Sequence, residues 1–70
     1  MANKYQRHCI EFMRKYQGTA DKPKWHGFAN DRVTVETVCS LHNLGILEVN
    51  EYSQCRLKSD EKARLFLGEI

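Results

Sequence analysis

The feature that most constrains the fold of this chain is a helix-like segment that begins near Thr34. The Thr34 side chain is suited to accept a hydrogen bond from a free amide of the first turn, as an N-cap does. Val33 before it and Val38 after it have the spacing of a hydrophobic staple, which sets the angle at which a chain enters a helix. The sequence therefore predicts a helix that is capped by Thr34.

A glycine predicts where this helix ends. Gly45 stands where a left-handed closing residue belongs, and Leu41 and Ile46 are spaced for the apolar contact of a Schellman motif. Residues 46–49 follow at once, and three of the four are apolar and typical of a strand. We therefore predict a helix that stops on Gly45 and turns directly into a strand, with the other elements packed around this unit.

An amphipathic helix is predicted for residues 3–17, closed by Gly18. Apolar side chains recur at helical spacing along it, and basic residues occupy much of the remaining surface. The apolar positions are Tyr5, Cys9, Ile10, Phe12, Met13 and Tyr16. Because aromatic and sulfur-containing side chains are usually buried, we expect this stripe to belong to the core.

The least regular segment is residues 18–31, which we predict to be a loop with one short helix. Asp21 is suited to cap that helix, and Pro23 to stand in its first turn, where a missing amide proton costs nothing. Trp25 and Phe28 are three positions apart and would anchor the turn on the core. We expect Trp25, the only tryptophan, to fill the core, while stacking on a nucleic-acid base stays open.

The last third of the chain predicts a β-hairpin and a closing helix. Residues 46–49 form the first strand, residues 50–53 are turn-like, and residues 54–57 return antiparallel to the first strand. Ser59 then caps a helix with an acidic first turn, which the helix dipole favours, and Gly68 ends it. The predicted buried side of this helix comprises Ala63, Leu65, Phe66 and Leu67.

Length and composition bound the class of protein. Seventy residues form a single domain, 1–70, and a chain of this size buries only about 60% of its unfolded surface, so dimerisation would help it. No apolar run approaches a membrane span, and the basic N-terminal stretch lacks the apolar region of a secretory signal. Three cysteines match no secreted disulfide scaffold. We therefore expect reduced thiols and a cytoplasmic protein without a membrane partner.

The element order resembles the winged-helix variant of the helix-turn-helix over about residues 30–67. Thr34 and Val35 open a helix, Val38 and Leu41 lie inside it, and Leu44, Gly45, Ile46, Leu47 and Glu48 leave it, as at the end of a recognition helix. Leu57, Ser59, Asp60, Glu61 and residues 65–67 are similar to the strand and helix that follow a wing. The resemblance implies an α+β, mostly helical domain with a helix, short helix, recognition-like helix, β-hairpin wing and C-terminal helix.

The resemblance also implies binding to double-stranded DNA, with the third helix in the major groove and the wing on the backbone. Outward residues of that helix would contact base edges, namely Glu36, Ser40 and Asn43. The basic residues that would contact phosphates are Lys22, Lys24, Arg32, Arg56 and Lys58. The first hypothesis is therefore a transcriptional or DNA-transaction regulator, expected to act as a homodimer.

The second hypothesis is a winged-helix protein-interaction module, an adaptor or inhibitor that does not bind DNA. The net charge is only +2, and the predicted recognition helix contains no Lys or Arg, since Arg32 precedes it. Glu36 carries the wrong charge for a phosphate-rich surface, and Val35 suits a protein contact. The small size is similar to that of regulators and host-takeover factors from phages and other mobile elements.

Neither metal nor catalytic chemistry is expected. Cys39 and His42 form one CxxH pair on a helix, and His8 adjoins Cys9, whereas zinc needs four ligands that usually come in two short pairings. No acid that would orient His42 is evident, and the chain has no phosphate-binding glycine loop or paired catalytic carboxylates. We therefore predict a protein without cofactor, metal or enzyme activity.

Overall fold

The computed structural model of the chain describes residues 2–16 and 24–69. Within these residues it contains three helices and three strands, and about half of the chain is helical. In chain order they are α1 (Lys4–Lys15), β1 (His26–Gly27), α2 (Arg32–Asn43), β2 (Leu47–Val49), β3 (Gln54–Leu57) and α3 (Asp60–Leu67). The predicted α+β class is therefore confirmed.

The three strands form one antiparallel sheet with the order β1-β3-β2. The predicted hairpin is confirmed, since Leu47 of β2 lies opposite Leu57 of β3. Asn50 organises the turn between them, because its Oδ1 accepts hydrogen bonds from the backbone amides of Tyr52 and Gln54 at 2.9 and 3.2 Å. The other neighbour of β3 is β1, which the sequence did not predict.

The segment 24–31 holds β1 where a short helix was predicted. His26 pairs with Cys55, and Gly27 with Gln54, so the backbone of β1 finds its partners in β3. Trp25 is half-buried and is absent from the buried core, so the prediction that it fills the core is wrong. The predicted cap and first turn of the short helix, Asp21 and Pro23, lie outside the described residues.

Helix α2 begins earlier than predicted, because Asp31 caps it. The Asp31 carboxylate accepts one hydrogen bond from the Thr34 amide at 2.9 Å and another from the Thr34 hydroxyl at 2.8 Å. The prediction of Thr34 as the N-cap is therefore wrong, and so is the staple from Val33 to Val38, which depended on it. Asp and Thr are both favoured caps, and here the carboxylate satisfies the amide of the competing residue.

The predicted end of α2 is confirmed. Gly45 has a φ of +78°, and its amide donates to the His42 carbonyl at 3.0 Å. The Ile46 amide donates to the Leu41 carbonyl, also at 3.0 Å. These two bonds define a Schellman motif, which satisfies carbonyls that the helix end would leave unpaired. The motif directs Ile46 and Leu47 into the core at once.

Helix α1 turns a different side to the core from the one predicted. Ile10 and Met13 are buried, whereas Tyr5, Phe12 and Tyr16 retain 49%, 41% and 47% of their accessible surface. The expected core stripe is therefore wrong for all three aromatic side chains. Helix α1 packs against α2 and β3 through Ile10 and Met13, and this leaves the aromatic residues on the neighbouring face. The predicted stop at Gly18 lies outside the described residues.

The closing helix α3 has the predicted cap and stop. Ser59 accepts a hydrogen bond from the Lys62 amide at 3.2 Å, and Gly68 closes the helix with a φ of +76°. Ala63 and Leu67 are buried, whereas Leu65 is 57% exposed, so the prediction that Leu65 faces the core is wrong. An eight-residue helix that covers one side of a small core has room for only a narrow buried stripe.

The core lies between the sheet and the helices and contains only apolar side chains among the described residues. Its members are Ile10, Met13, Val38, Leu41, Ile46, Leu47, Cys55, Leu57, Ala63 and Leu67. Outside this core, Arg14 links α1 to the α3 region. Its guanidinium is paired with Asp60 at 3.2 Å and with Glu69 at 3.0 Å. Among the described residues, no helix combines the length and apolar character that a membrane crossing requires.

Candidate functional site: a groove beside helix α1

The predicted DNA-contacting residues of α2 do not form one outward surface. Arg32 and Glu36 form an ion pair of 3.0 Å on the exposed side of the helix, and Asn43 is exposed at its end. Ser40 is half-buried against α1, where its hydroxyl donates to the Thr37 carbonyl at 2.8 Å and accepts from Gln6 Nε2 at 3.1 Å. The Ser40 hydroxyl is thus engaged within the molecule, and Arg32 and Glu36 compensate each other.

The basic residues near the sheet that were predicted to contact phosphates also do not form one set of unpaired charges. Arg56 is ion-paired with Glu48 across the hairpin, and its guanidinium lies 4.2 Å from the centre of the Trp25 ring. Lys24 and Lys58 are both exposed, and Lys24 lies next to Trp25 in the chain. Lys22 lies outside the described residues. Lys24 is thus one residue away from the ring that Arg56 contacts, but the charge of Arg56 already has a partner.

An apolar groove with a volume of about 510 Å³ lies between α1 and α2. Tyr5, Cys9 and Phe12 of α1 form one wall, and Val33 and Thr37 of α2 form the other. The floor consists of Met13, Phe28, Val38 and Cys55, so it belongs to the core itself. We call this feature the α1–α2 groove. Its volume lies in the range of sites that bind ligands or peptide side chains.

An exposed aromatic stripe runs along α1 and comprises Tyr5, Phe12 and Tyr16. Tyr5 and Phe12 line the α1–α2 groove, and Tyr16 lies one turn beyond Phe12, outside the groove lining. The rings of Phe12 and Tyr16 lie 4.8 Å apart, and the ring of Phe12 meets that of His26 edge-on at 5.5 Å. His26 Nε2 also donates a hydrogen bond to the Tyr16 carbonyl at 2.8 Å. These contacts fix the C-terminal part of the aromatic stripe against β1. The Phe12 and Tyr16 rings are therefore held in place before any ligand binds, which lowers the entropic cost of binding.

Cations lie directly at the edge of the aromatic stripe. Lys4 Nζ is 5.1 Å from the centre of the Tyr5 ring, and Lys15 Nζ is 5.4 Å from the centre of the Tyr16 ring. These distances are within the range of cation–π attraction. His8 lies between them on the same helix and also lines the groove. The aromatic stripe therefore has a lysine at each end, Lys4 at the groove and Lys15 beyond it, where Glu11 also lies.

Two thiols line the α1–α2 groove, and burial makes both poor nucleophiles. Burial raises the pKa of the half-buried Cys9 above its ordinary value. The pKa of Cys55 rises to about 11, chiefly through burial and secondly through the charge of a nearby Cys9 thiolate. The thiolate is the reactive form, so both groups react more slowly than an ordinary exposed thiol. These thiols contribute apolar surface to the groove, which argues against a catalytic role for them.

The CxxH pair on α2 does not develop into a metal site. His42 Nδ1 donates to the Leu47 carbonyl at 3.2 Å, so this ring nitrogen has a partner at the edge of β2. Cys39 is exposed on α2 and does not line the α1–α2 groove. Within residues 2–16 and 24–69, no three His, Cys, Asp or Glu side chains are grouped so as to hold a metal ion. Cys39 and His42 thus have no further ligands around them.

Sequence reasoning missed the groove because the aromatic stripe was assigned to the core. One signal could have indicated it. Ile10 and Met13 widen the apolar side of α1 to nearly half of the helix circumference, which is wider than the stripe of about 100° that typically faces a core. A stripe that is too wide for the core predicts a second apolar contact, outside the fold.

The chain was compared with models of protein families, with curated proteins and with solved structures. None of these comparisons finds a match. The interpretation of the α1–α2 groove therefore depends on its geometry and chemistry.

Proposed function

We propose that this chain is a protein-interaction module that binds an apolar segment of another protein in the α1–α2 groove. The observation that carries this proposal is the exposed aromatic stripe, Tyr5, Phe12 and Tyr16, at the edge of a groove whose floor is the core. Contiguous exposed apolar surface with a polar rim marks interaction sites in soluble proteins. Aromatic anchors at such sites supply most of the binding energy.

The free energy available from burying the exposed aromatic side chains supports the proposal. Fully burying one side chain of the size of phenylalanine stabilises by about 1.5–3 kcal/mol. The three aromatic side chains are each about half exposed, so completing their burial would contribute on the order of 3 kcal/mol. This contribution is comparable to that of a single strong hot spot in a protein interface. No contact inside the described fold supplies it.

The fold that we propose in finer detail is a winged-helix-like domain. Helix α2, the β2–β3 hairpin and α3 follow one another in the order that the sequence resemblance implies. In this interpretation α2 stands in the place of a recognition helix, with the hairpin as the wing. A winged helix can bind a protein as well as DNA, because the function of a fold is set by its sites.

DNA binding is the second candidate, and the exposed side of α2 favours it. Asn43 is exposed there and can contact an adenine edge, and Lys24 and Lys58 are exposed elsewhere on the chain. Against this candidate, the Arg32 and Arg56 guanidinium groups are each paired with a carboxylate. Phosphate neutralisation by Lys and Arg supplies most of the affinity for DNA. The protein-interaction proposal is therefore preferred.

The test of the proposal is a selection from a random peptide library displayed on phage, using the immobilised chain as bait. We expect enriched peptides that bind the wild type and the Tyr52→Glu variant but fail to bind Tyr5→Glu. The two substitutions are chemically identical, but Tyr52 lies in the β2–β3 turn, 74% exposed and outside the groove. The proposal is wrong if no peptide is enriched, or if every enriched peptide binds both variants equally.

The DNA candidate is tested in parallel with duplexes of random sequence at two salt concentrations. A module that neutralises about six phosphates loses roughly 10³-fold or more in affinity between about 50 and 200 mM salt. If binding of this kind is seen, survives Tyr5→Glu and is lost in Lys24→Glu/Lys58→Glu, the second candidate replaces the first. If no duplex binds at low salt, the second candidate is removed.

A further inference from the structure

We propose, on the basis of the proposed function, that the segment bound in the α1–α2 groove is an amphipathic α-helix with acidic side chains beside its apolar stripe. We infer the helical conformation of the bound segment from the geometry of the groove. We infer its acidic side chains from the charges beside the aromatic stripe. A separate experiment tests each of these two claims.

The walls of the groove favour a helix over an extended chain. Both long walls are helices, α1 and α2, whose backbone amides and carbonyls are paired within the helix along most of its length. A strand bound there would find no backbone partners, except along the two residues of β1. A buried backbone group without a partner is costly, so the occupant must satisfy its own hydrogen bonds. A helix does this, and helix-in-groove binding is a recurring mode of recognition.

The spacing along α1 sets the length of the occupant. Tyr5, Cys9, Phe12 and Tyr16 are separated by four, three and four positions, which places them in one line along the helix. The ends of this line are eleven positions apart, so it is about 16 Å long. A helix of about three turns has matching anchors at positions i, i+4, i+7 and i+11. The partner segment is therefore a helix of about twelve to fifteen residues.

The charges beside the groove favour carboxylates on the occupant. Lys4 and Lys15 lie over the outermost rings of the aromatic stripe, Tyr5 and Tyr16. On the opposite wall, the charges of Arg32 and Glu36 compensate each other. The two lysines are further apart than a Debye length of about 8 Å at physiological salt, so each attracts charge locally. We therefore place acidic side chains near both ends of the bound helix.

The same charges disfavour a second copy of this chain as the occupant. In a two-fold dimer that joins the aromatic stripes of two antiparallel α1 helices, Lys4 of one copy approaches Lys15 of the other. In a parallel dimer each lysine approaches its own counterpart. A two-fold interface presents the same patch on both sides, and like charges placed across an interface lower its stability.

The experiment uses two synthetic helical peptides with the full 70-residue chain. Both peptides carry leucine at positions i, i+4, i+7 and i+11, and they differ only in having Glu or Lys at the flanking positions. Binding is measured by fluorescence anisotropy. We expect the Glu peptide to bind about tenfold or more tightly than the Lys peptide, and circular dichroism to show helix formation on binding.

Charge reversal on the protein should reverse this preference. In Lys4→Glu/Lys15→Glu we expect the Lys peptide to bind more tightly than the Glu peptide. The matched control, Lys24→Glu/Lys58→Glu, makes the same change in net charge with two exposed lysines that do not belong to α1. It should keep the wild-type preference. If both double variants changed the preference between the Glu and Lys peptides equally, the inference would be overturned, because the effect would come from net charge alone.

Thiol modification locates the bound peptide. Cys9 lines the α1–α2 groove, while Cys39 is exposed outside it. We expect the Glu peptide to protect Cys9 from a maleimide and to leave the modification rate of Cys39 unchanged. Protection of Cys39 with no protection of Cys9 would place the peptide on α2 and overturn the inference.

The two proposals fail in distinguishable ways. If the library selection yields groove-binding peptides that are neutral, basic or proline-containing, the proposed function stands and the acidic helix is wrong. If the selection yields none and neither synthetic peptide binds, both are wrong. Sedimentation analysis tests whether a second copy of this chain occupies the groove. A wild-type dimer that becomes a monomer in Tyr5→Glu would make α1 a self-association surface and overturn the inference.

Discussion

The guanidinium of Arg56 lies 4.2 Å from the centre of the Trp25 ring and is ion-paired with Glu48 on the neighbouring strand. This side chain of β3 therefore contacts both of its sheet neighbours, since Trp25 directly precedes β1 and Glu48 belongs to β2. The arrangement explains how a segment with little regular structure is held on the sheet. It also removes Arg56 from the set of unpaired cations that DNA would need.

The Arg56→Ala variant should lower the free energy of unfolding by about 1–2 kcal/mol, since it removes a cation–π contact and a cross-strand ion pair. Trp25 is the only tryptophan, so its fluorescence reports the contact directly, and we expect the emission to shift on substitution. Lys58→Ala, an exposed residue just after β3, should change neither quantity. Unchanged emission in Arg56→Ala would contradict the contact.

Substitution of Gly45 by alanine should destabilise the chain by about 1–2 kcal/mol, because a left-handed backbone is unfavourable for residues with a Cβ atom. The new Cβ would also lie 2.8 Å from Lys62 Nζ, the mobile end of a long side chain. Gly27→Ala is the control, because a Cβ there meets nothing within 4 Å and its φ is not positive. Urea unfolding of both variants measures the difference, and equal stabilities would exclude a Schellman motif at Gly45.

The Asp31 cap should make stability depend on pH. Hydrogen bonds from the Thr34 amide and hydroxyl lower the pKa of Asp31 below its ordinary value of 3.8. A carboxyl with a lowered pKa contributes stability above the pKa of the unfolded chain, and this contribution is lost as pH falls through the lower pKa of the folded chain. Asn is also a favoured N-cap. We therefore expect Asp31→Asn to reduce the loss of stability below about pH 4.

Urea unfolding at several pH values between neutral and acidic conditions checks this expectation. Hydrogen bonding to Arg14 also lowers the pKa of Glu69, so a residual loss of stability in acid should remain in Asp31→Asn. The additional variant Glu69→Gln should remove that remainder. An acid transition that is identical in the wild type and in Asp31→Asn would contradict the role of the Asp31 carboxylate.

Leu65 and Leu67 provide a matched test of the core. Leu67 is 8% exposed and Leu65 is 57% exposed on the same helix. Leu67→Ala should lower the free energy of unfolding by about 2–4 kcal/mol, because it leaves a cavity in the core. Leu65→Ala should change it by less than about 0.5 kcal/mol. A larger loss at Leu65 than at Leu67 would mean that α3 is rotated about its axis.

Local interactions explain which elements the sequence predicted. The Schellman motif at Gly45, the Ser59 cap and the strand at residues 54–57 depend on neighbours within a few positions. Errors occurred where two local signals competed, as with Asp31 and Thr34 at the start of α2. Errors also occurred where a short segment paired with a distant one, as β1 does with β3. Long-range pairing of two residues leaves almost no periodic signal.

The candidate site was less predictable than the fold. Arg32 and Arg56 were predicted as phosphate contacts together with Lys22, Lys24 and Lys58, but the ion pairing of the two arginines is visible only in three dimensions. The groove depends on how α1 is rotated about its axis. The sequence shows an apolar surface on α1 but does not indicate which part of it the core occupies.

The sequence by itself determined the order of the elements from α2 to α3 and their boundaries apart from the start of α2, because caps, glycine stops and strand alternation are local properties. Only the tertiary structure decided which face of α1 is buried. The side chains of Ile10 and Met13 fill the space above α2 and β3, and a helix cannot turn a second face to the same core. The aromatic stripe therefore remains outside, next to a groove, for the physical reason that a core of this size covers one side of each helix.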